Sequence, residues 1–211
     1  ADILKYSSHI SFNSINQLRK YYKIAYNNGV SVGLRINPEF SDSPYDIYNP
    51  CKPGSRFGVT AEQLGDRLPQ GIEGLHFHTL FEADSLALER LLAVFLNKFG
   101  KFLPKLKWVN MGGGHLITQK GYDAEHLIRT LTDFKNKYSV EIILEPGSAF
   151  TYQTGYLVST ILDIVENNGI KTAILDVSFT CHMPDCLEMP YKPVILNGTD
   201  EMAGKPTYRM G

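Results

Sequence analysis

Apolar residues recur along this chain in two rhythms. Ile15, Leu18, Tyr22 and Ala25 fall at helical spacing behind a cap at Asn13 or Ser14, and Asn28-Gly29 closes the segment. Val30 to Ile36 is a short apolar run with β-branched residues, the mark of a buried strand. Residues 37–56 hold four prolines with Ser and Asp, which predicts a long loop. Thr60 then caps a short helix through Leu64. The alternation continues with a strand over Ile72–Phe77 and a helix over Asp84–Phe99, whose Leu86, Leu88, Leu91, Leu92 and Phe95 are apolar. A strand over Leu106–Val109 leads to a helix over Tyr122–Tyr138, with Leu127, Ile128, Leu131 and Phe134 on one face. Val140–Leu144 is another strand. Alternation with short connections predicts a parallel sheet with right-handed crossovers.

After Pro146 the rhythm changes. Tyr156–Val165 is β-branched, Asn168-Gly169 is a hairpin turn, and Lys171–Val177 answers as the returning strand. Val194–Leu196 reads as a further short strand, and no element is predicted at Arg209-Met210-Gly211. The expected architecture is α/β: a partial (β/α)8 TIM barrel over residues 1–150, then the start of an antiparallel β domain over 151–211. The first strand signal comes almost at once and the chain opens without Met, so both ends are expected to be cuts inside a longer protein.

Composition narrows the class. Hydrophobic residues at 43% and charged residues at 20% exclude a disordered, collagenous or coiled-coil chain. Basic and acidic residues, 21 against 22, leave a net charge of −1 and no attraction for nucleic acid or an anionic membrane. No apolar run approaches the roughly 20 residues that span a bilayer. Three cysteines, Cys51, Cys181 and Cys186, are too few for a disulfide scaffold and point to a reducing cytoplasm. The 12 tyrosines read mostly as core and interface residues.

The notable polar groups follow the predicted parallel strands. Arg35 and Asn37 follow or end the strand from Val30, His76 and His78 end the strand from Ile72, Gly112 to His115 follow the strand from Leu106, and Glu145 follows the strand from Val140. In α/β barrels such strand ends form the active face. Gly112-Gly113-Gly114 either lets backbone amides approach an anion such as phosphate or simply makes a tight turn. Glu145, before Pro146-Gly147-Ser148, either pairs with a cation (a pyridinium nitrogen, a substrate amine or a metal) or is an ordinary solvated acid. Gly147 and Ser148 offer further donors to the same phosphate. His76 and His78, two apart on a strand, face one side, as a metal pair, as a ring stacked on a flat cofactor, or as hydrogen-bonded barrel histidines. Cys181, His182, Asp185 and Cys186 lack the second ligand pair that structural zinc needs, so no metal is expected there. That segment reads instead as a loop with a substrate-facing acid or imidazole, and Asp176 is the other acid at hand.

Taken together, Leu34-Arg35-Ile36-Asn37-Pro38, Ser55-Arg56-Phe57-Gly58, Gly74 to Thr79, Asn110 to His115, Leu144-Glu145-Pro146-Gly147 and Cys181-His182-Met183-Pro184-Asp185 through Met189-Pro190-Tyr191 run nearly the whole chain in order. The chain resembles the carboxynorspermidine (carboxyspermidine) decarboxylases, a branch of the pyridoxal-phosphate decarboxylases of the alanine-racemase fold. The Cys-His-Met-Pro-Asp segment is the stretch specific to that branch. The resemblance implies that His78 stacks on the pyridine ring, that Gly112, Gly113, Gly114, Gly147 and Ser148 cradle the cofactor phosphate, and that Glu145 pairs with the protonated ring nitrogen. It further implies catalytic roles for His78, Glu145 and His182. A cationic polyamine substrate would lie against Glu145, Asp176, His182 and Asp185. A cytoplasmic homodimer with a shared active site follows from the same likeness.

The chain also departs from the pattern. The lysine that carries the cofactor in this family is expected upstream of Ala1, and a Cys and an Asp that complete the partner's site are expected downstream. Ser148 stands where ornithine decarboxylases carry Arg. The competing readings are a metal-dependent barrel hydrolase built on His76, His78, His115 and Asp176, and a non-catalytic pyridoxal-phosphate carrier or regulator.

Overall fold

The computed structural model describes residues 2–43, 46–189, 191–198 and 207–211. Pro190 of the Met-Pro-Tyr stretch and Pro44 of the predicted loop lie outside them. The chain divides into two units, Ala1–Thr154 and Gly155–Gly211.

In the first unit the elements run β1 (His9–Phe12), α1 (Ile15–Asn27), β2 (Ser31–Asn37), β3 (Val59–Thr60), α2 (Ala61–Leu64), β4 (Gly74–His76), α3 (Ser85–Phe99), β5 (Trp108–Asn110), α4 (Ala124–Tyr138), β6 (Glu141–Ile143) and α5 (Gly147–Thr151). The strands pair in the order β1-β2-β4-β5-β6, all parallel, with β3 added beside the end of β2. Spatial order follows chain order, which is the winding of a barrel wall. A doubly wound sheet would reverse at a switch point.

Alternation along each strand separates two faces. Val32, Leu34 and Ile36, Leu75 and Phe77, and Val109 and Met111 are buried in one core with Leu88, Leu91, Phe95 and Phe99 of α3. Phe95 joins the layers, with ring centroids 5.1 Å from Phe77 and 6.2 Å from Phe134 of α4. Ser14 caps α1, Thr60 forms a capping box with Gln63 on α2, and Asp84 and Asp123 cap α3 and α4. Not every apolar helix position turns inward. Leu86 and Ile128 are exposed, because they fall one residue off the buried stripes of α3 and α4. No described tyrosine is fully buried either. Tyr22, Tyr122 and Tyr138 only flank the core, and a phenol keeps its hydroxyl near water.

The opposite face carries Gly33, Arg35 and Asn37, Gly74 and His76, Trp108 and Asn110, and Glu141 and Ile143. The register sets these side by side: Gly33, Gly74, Trp108 and Glu141 in one layer, Arg35, His76, Asn110 and Ile143 in the next. The Trp108 indole occupies the space that a Cβ at Gly33 or Gly74 would fill, so those two positions accept no larger residue. Its Nε1 donates to Ser31 Oγ at 2.8 Å, and Ser31 donates to Glu73, which also pairs with Lys107.

The second unit departs from expectation in several places. Its elements are β7 (Ile161–Asn167), β8 (Ile170–Leu175), α6 (Phe179–His182), α7 (Asp185–Glu188) and β9 (Arg209–Met210). The hairpin forms as read, with Asn168 and Gly169 both at positive φ. Strand β7 starts at Ile161 rather than Tyr156, because Asp176 takes the Thr160 N–H and the register shifts between Ile161 and Asp163. The sheet is not wholly antiparallel. The Arg209-Met210 end, for which no element was expected, pairs parallel to β8. Val194–Leu196 forms no strand. Pro193 offers no N–H there, and Val194 is fully exposed. The Cys181–Asp185 segment is two helical turns, not a loop.

Candidate functional site

The C-terminal ends of β2, β4, β5 and β6 converge on one cavity of about 440 Å³, lined among others by Arg35, His76, Asn110 and Glu145 of those strand ends and by Ser7 and His9. Nothing in the sequence marks residues 6–11 as lining. Their place follows from β1 lying beside β2. No lysine lines the cavity among the described residues.

Asn110 is buried. Its Nδ2 donates to Glu145 Oε1 at 2.7 Å, and its Oδ1 accepts the Gly112 N–H at 2.8 Å. The other carboxylate oxygen lies 3.7 Å from His76 Nε2, an atom with no hydrogen-bond partner among the described residues. Burial is the main reason the His76 pKa falls to about 4; the neighbouring Glu145 opposes the fall, and Arg35 and His78 add to it. His76 is therefore neutral near pH 7 and makes no ion pair. His78 accepts the Gly113 N–H on Nδ1 at 3.2 Å, so its proton sits on Nε2. Its pKa is lowered by burial and by the Arg35 guanidinium. Burial lowers Arg35 in turn, and its guanidinium stacks on Phe57 at 4.6 Å.

The three glycines serve packing first. A Cβ on Gly113 would strike the Glu145 carbonyl, and those on Gly112 and Gly114 the backbone after β4. The amides of Gly112 and Gly113 are committed to Asn110 and His78. Gly112 O accepts the Glu145 N–H at 2.7 Å, which ties the glycine turn to the turn that begins α5. Gly147 and Ser148 open that helix, and no side chain caps it.

His115 lies beside Ala83, buried, with neither ring nitrogen bonded, and burial pushes its pKa down to about 4. Asp176, His182 and Asp185 belong to the second unit and are exposed there. Asp176 accepts from Ser159 Oγ and the Thr160 N–H, which hold its carboxyl below the usual range. His182 Nδ1 lies 3.1 Å from the Ser178 N–H, and Asp185 begins α7. His76, His78 and Glu145 bring ligand atoms within 4.8 Å of one another, a grouping able to hold a metal ion. Cys51, Cys181 and Cys186 are unpaired.

Parallel strand ends and a carboxylate clamped beside two histidines define a barrel enzyme site, and residues 5–152 match the family described as pyridoxal-dependent decarboxylase, pyridoxal binding domain. The chain belongs to that family, whose cofactor is pyridoxal phosphate. It is 47% identical over 210 residues to a carboxyaminopropylagmatine decarboxylase from a Synechocystis species, covering 99% of this chain and 54% of that protein. It is 48% identical over 196 residues to a carboxynorspermidine/carboxyspermidine decarboxylase from Campylobacter jejuni, covering 93% of this chain and 50% of that protein. The crystal structure of Campylobacter jejuni carboxynorspermidine decarboxylase complexed with norspermidine superposes with a TM-score of 0.81 at 45% identity, over 93% of this chain and 50% of that one. The chain thus spans about half the length of the relatives it matches.

Proposed function

We propose that the protein containing this chain removes carbon dioxide from a carboxylated polyamine, carboxynorspermidine or carboxyspermidine, with pyridoxal phosphate as cofactor. The observation that carries this reading is the identity of nearly half over almost the whole chain to enzymes named for such substrates. The Synechocystis likeness adds carboxyaminopropylagmatine as a third candidate of the same chemistry.

The residues present fit the cofactor. The Glu145 carboxylate is half exposed toward the cavity, where it accepts a hydrogen bond from a protonated ring nitrogen. The His78 imidazole is neutral and fixed by Gly113, which suits stacking on a flat ring. The turn shaped by Gly112 and Gly113, through the Gly114 amide, and the uncapped start of α5 at Gly147 and Ser148 would hold the phosphate. Among the described residues, the Gly114 amide and the first amides of α5 are the donors left open. When bound, the cofactor's ring takes up the electron pair that departing carbon dioxide leaves behind. Glu145 keeps the proton on the ring nitrogen that makes this favourable. Within the second unit, Asp176, His182 and Asp185 are the side chains whose charge and hydrogen bonding suit the amines of the substrate, and His182 is the one among them able to move a proton. Their exposure suits a solvent-borne cation. The active form is a cytoplasmic homodimer with a shared site. Its unpaired cysteines accord with a reducing compartment, and no helix among the described residues is long and apolar enough to cross a membrane.

The test is carbon dioxide release by the full-length protein, loaded with pyridoxal phosphate, from each of the three carboxylated polyamines. Turnover of one or more is expected. A protein that binds the cofactor and releases nothing from any of them overturns the reading. Stoichiometric zinc in place of the cofactor would favour a metal-dependent hydrolase, with His76, His78 and Glu145 as ligands rather than the expected set that included His115 and Asp176.

A further inference from the structure

We propose that Asn110 is the positioning residue of this site, fixing the Glu145 carboxylate against the glycine turn so that one oxygen faces the cofactor ring nitrogen. The proposal rests on the reading of Glu145 as partner of that nitrogen. Both halves of the Asn110 amide are engaged, and the assignment is unambiguous. A backbone N–H can only donate, so Gly112 must meet Oδ1, which leaves Nδ2 for Glu145. A closed circuit results. The Gly112 N–H reaches the Asn110 side chain, that side chain reaches the Glu145 carboxylate, and the Glu145 N–H returns to Gly112 O. Ends of β5 and β6 are locked together by it. Glu145 needs such a lock, since a half-exposed carboxylate otherwise spreads over several solvated rotamers. The opposite oxygen lies 3.7 Å from His76 Nε2, which is too far for a hydrogen bond that would hold it.

Asn110→Asp separates the two bonds. The new carboxylate still accepts the Gly112 N–H but sets a second acid against Glu145, and the two can bridge only around a shared proton. Charged and titratable neighbours are Arg35 on β2, His9 on β1, and His76 and His78 on and after β4. All are present in the unmodified control. Pyridoxal phosphate affinity, read by absorbance titration of the full-length protein, is compared from about pH 5.5 to about pH 8.5. The unmodified protein sets the baseline. Asn110→Asp is expected to bind about tenfold or more weakly at the alkaline end and to recover toward the unmodified protein at the acid end. Asn110→Ala is expected to bind weakly throughout. A deficit in Asn110→Asp that does not change with pH, or no deficit, overturns the proposal. Absence of cofactor binding by the unmodified protein overturns the reading of the site, and the proposal with it. If Asn110→Asp does not fold, the double variant with Glu145→Gln decides, because the bridge then needs no proton. Recovery of folding supports the clamp, and continued failure overturns it.

Discussion

His115 is buried, neither ring nitrogen has a hydrogen-bond partner among the described residues, and burial pushes its pKa down to about 4. An unfolded histidine titrates near 6.5, so below that value the unfolded chain binds the extra proton first. The folded state is therefore expected to lose stability as pH falls from about 6.5 to about 4, by roughly 3 kcal/mol for such a group, with His76 adding to the same window. Urea midpoints at pH 7 and pH 5 check this, and a flat profile would refute it. At Glu145, replacement by Gln keeps the shape and removes the charge opposite the ring nitrogen. Turnover by the full-length protein should fall about a hundredfold or more, while cofactor affinity changes less. Single residues were unevenly legible. His78 and Glu145 stand out by type and by their place after apolar strands. Asn110 acquires its role only once the register sets it in one layer with Arg35 and His76. Asn110 lies inside the quoted Asn-Met-Gly-Gly-Gly stretch, and its two-residue spacing from Trp108 and Gly112 was the available signal.

At the scale of elements, the helices were the easiest to read, because a long amphipathic run has few alternatives, and in the structure Asp84 and Asp123 cap α3 and α4. Removing one such cap with Asp84→Ala should cost about 1 kcal/mol, visible as a lowered urea midpoint. The glycine turn is less forgiving. Gly113→Ala drives a methyl group into the Glu145 carbonyl, so the turn must shift. Cofactor affinity should drop about tenfold or more, and a variant with unchanged affinity would contradict the packing. Three short elements of the second unit escaped the sequence, whereas the Thr60 cap made the four-residue α2 readable in the first. Strand β9 and helices α6 and α7 are too short to carry a period, and tertiary pairing rather than local propensity makes β9 a strand.

For the molecule as a whole, the cofactor is expected to act as a stabiliser. A ligand that binds only the folded state at about a hundred times its dissociation constant adds about 2.7 kcal/mol, so the melting temperature of the full-length protein should climb with added pyridoxal phosphate. An unmoved melting curve would argue against binding. The barrel wall was legible at this scale because Arg35, His76, His78, the glycine turn and Glu145 end or follow apolar strands. The second unit was less so, since its β7 side chains are exposed and show no buried face to read.

Trp108 bears on how all this can be watched. It is the only tryptophan in the chain, is 2% exposed, lies across Gly33 and Gly74, and borders the cavity. Its fluorescence is thus a private signal from the floor of the barrel. The shielded indole should emit toward the blue, dim by energy transfer when a chromophore settles in the cavity, and redden only when the strands beneath it part.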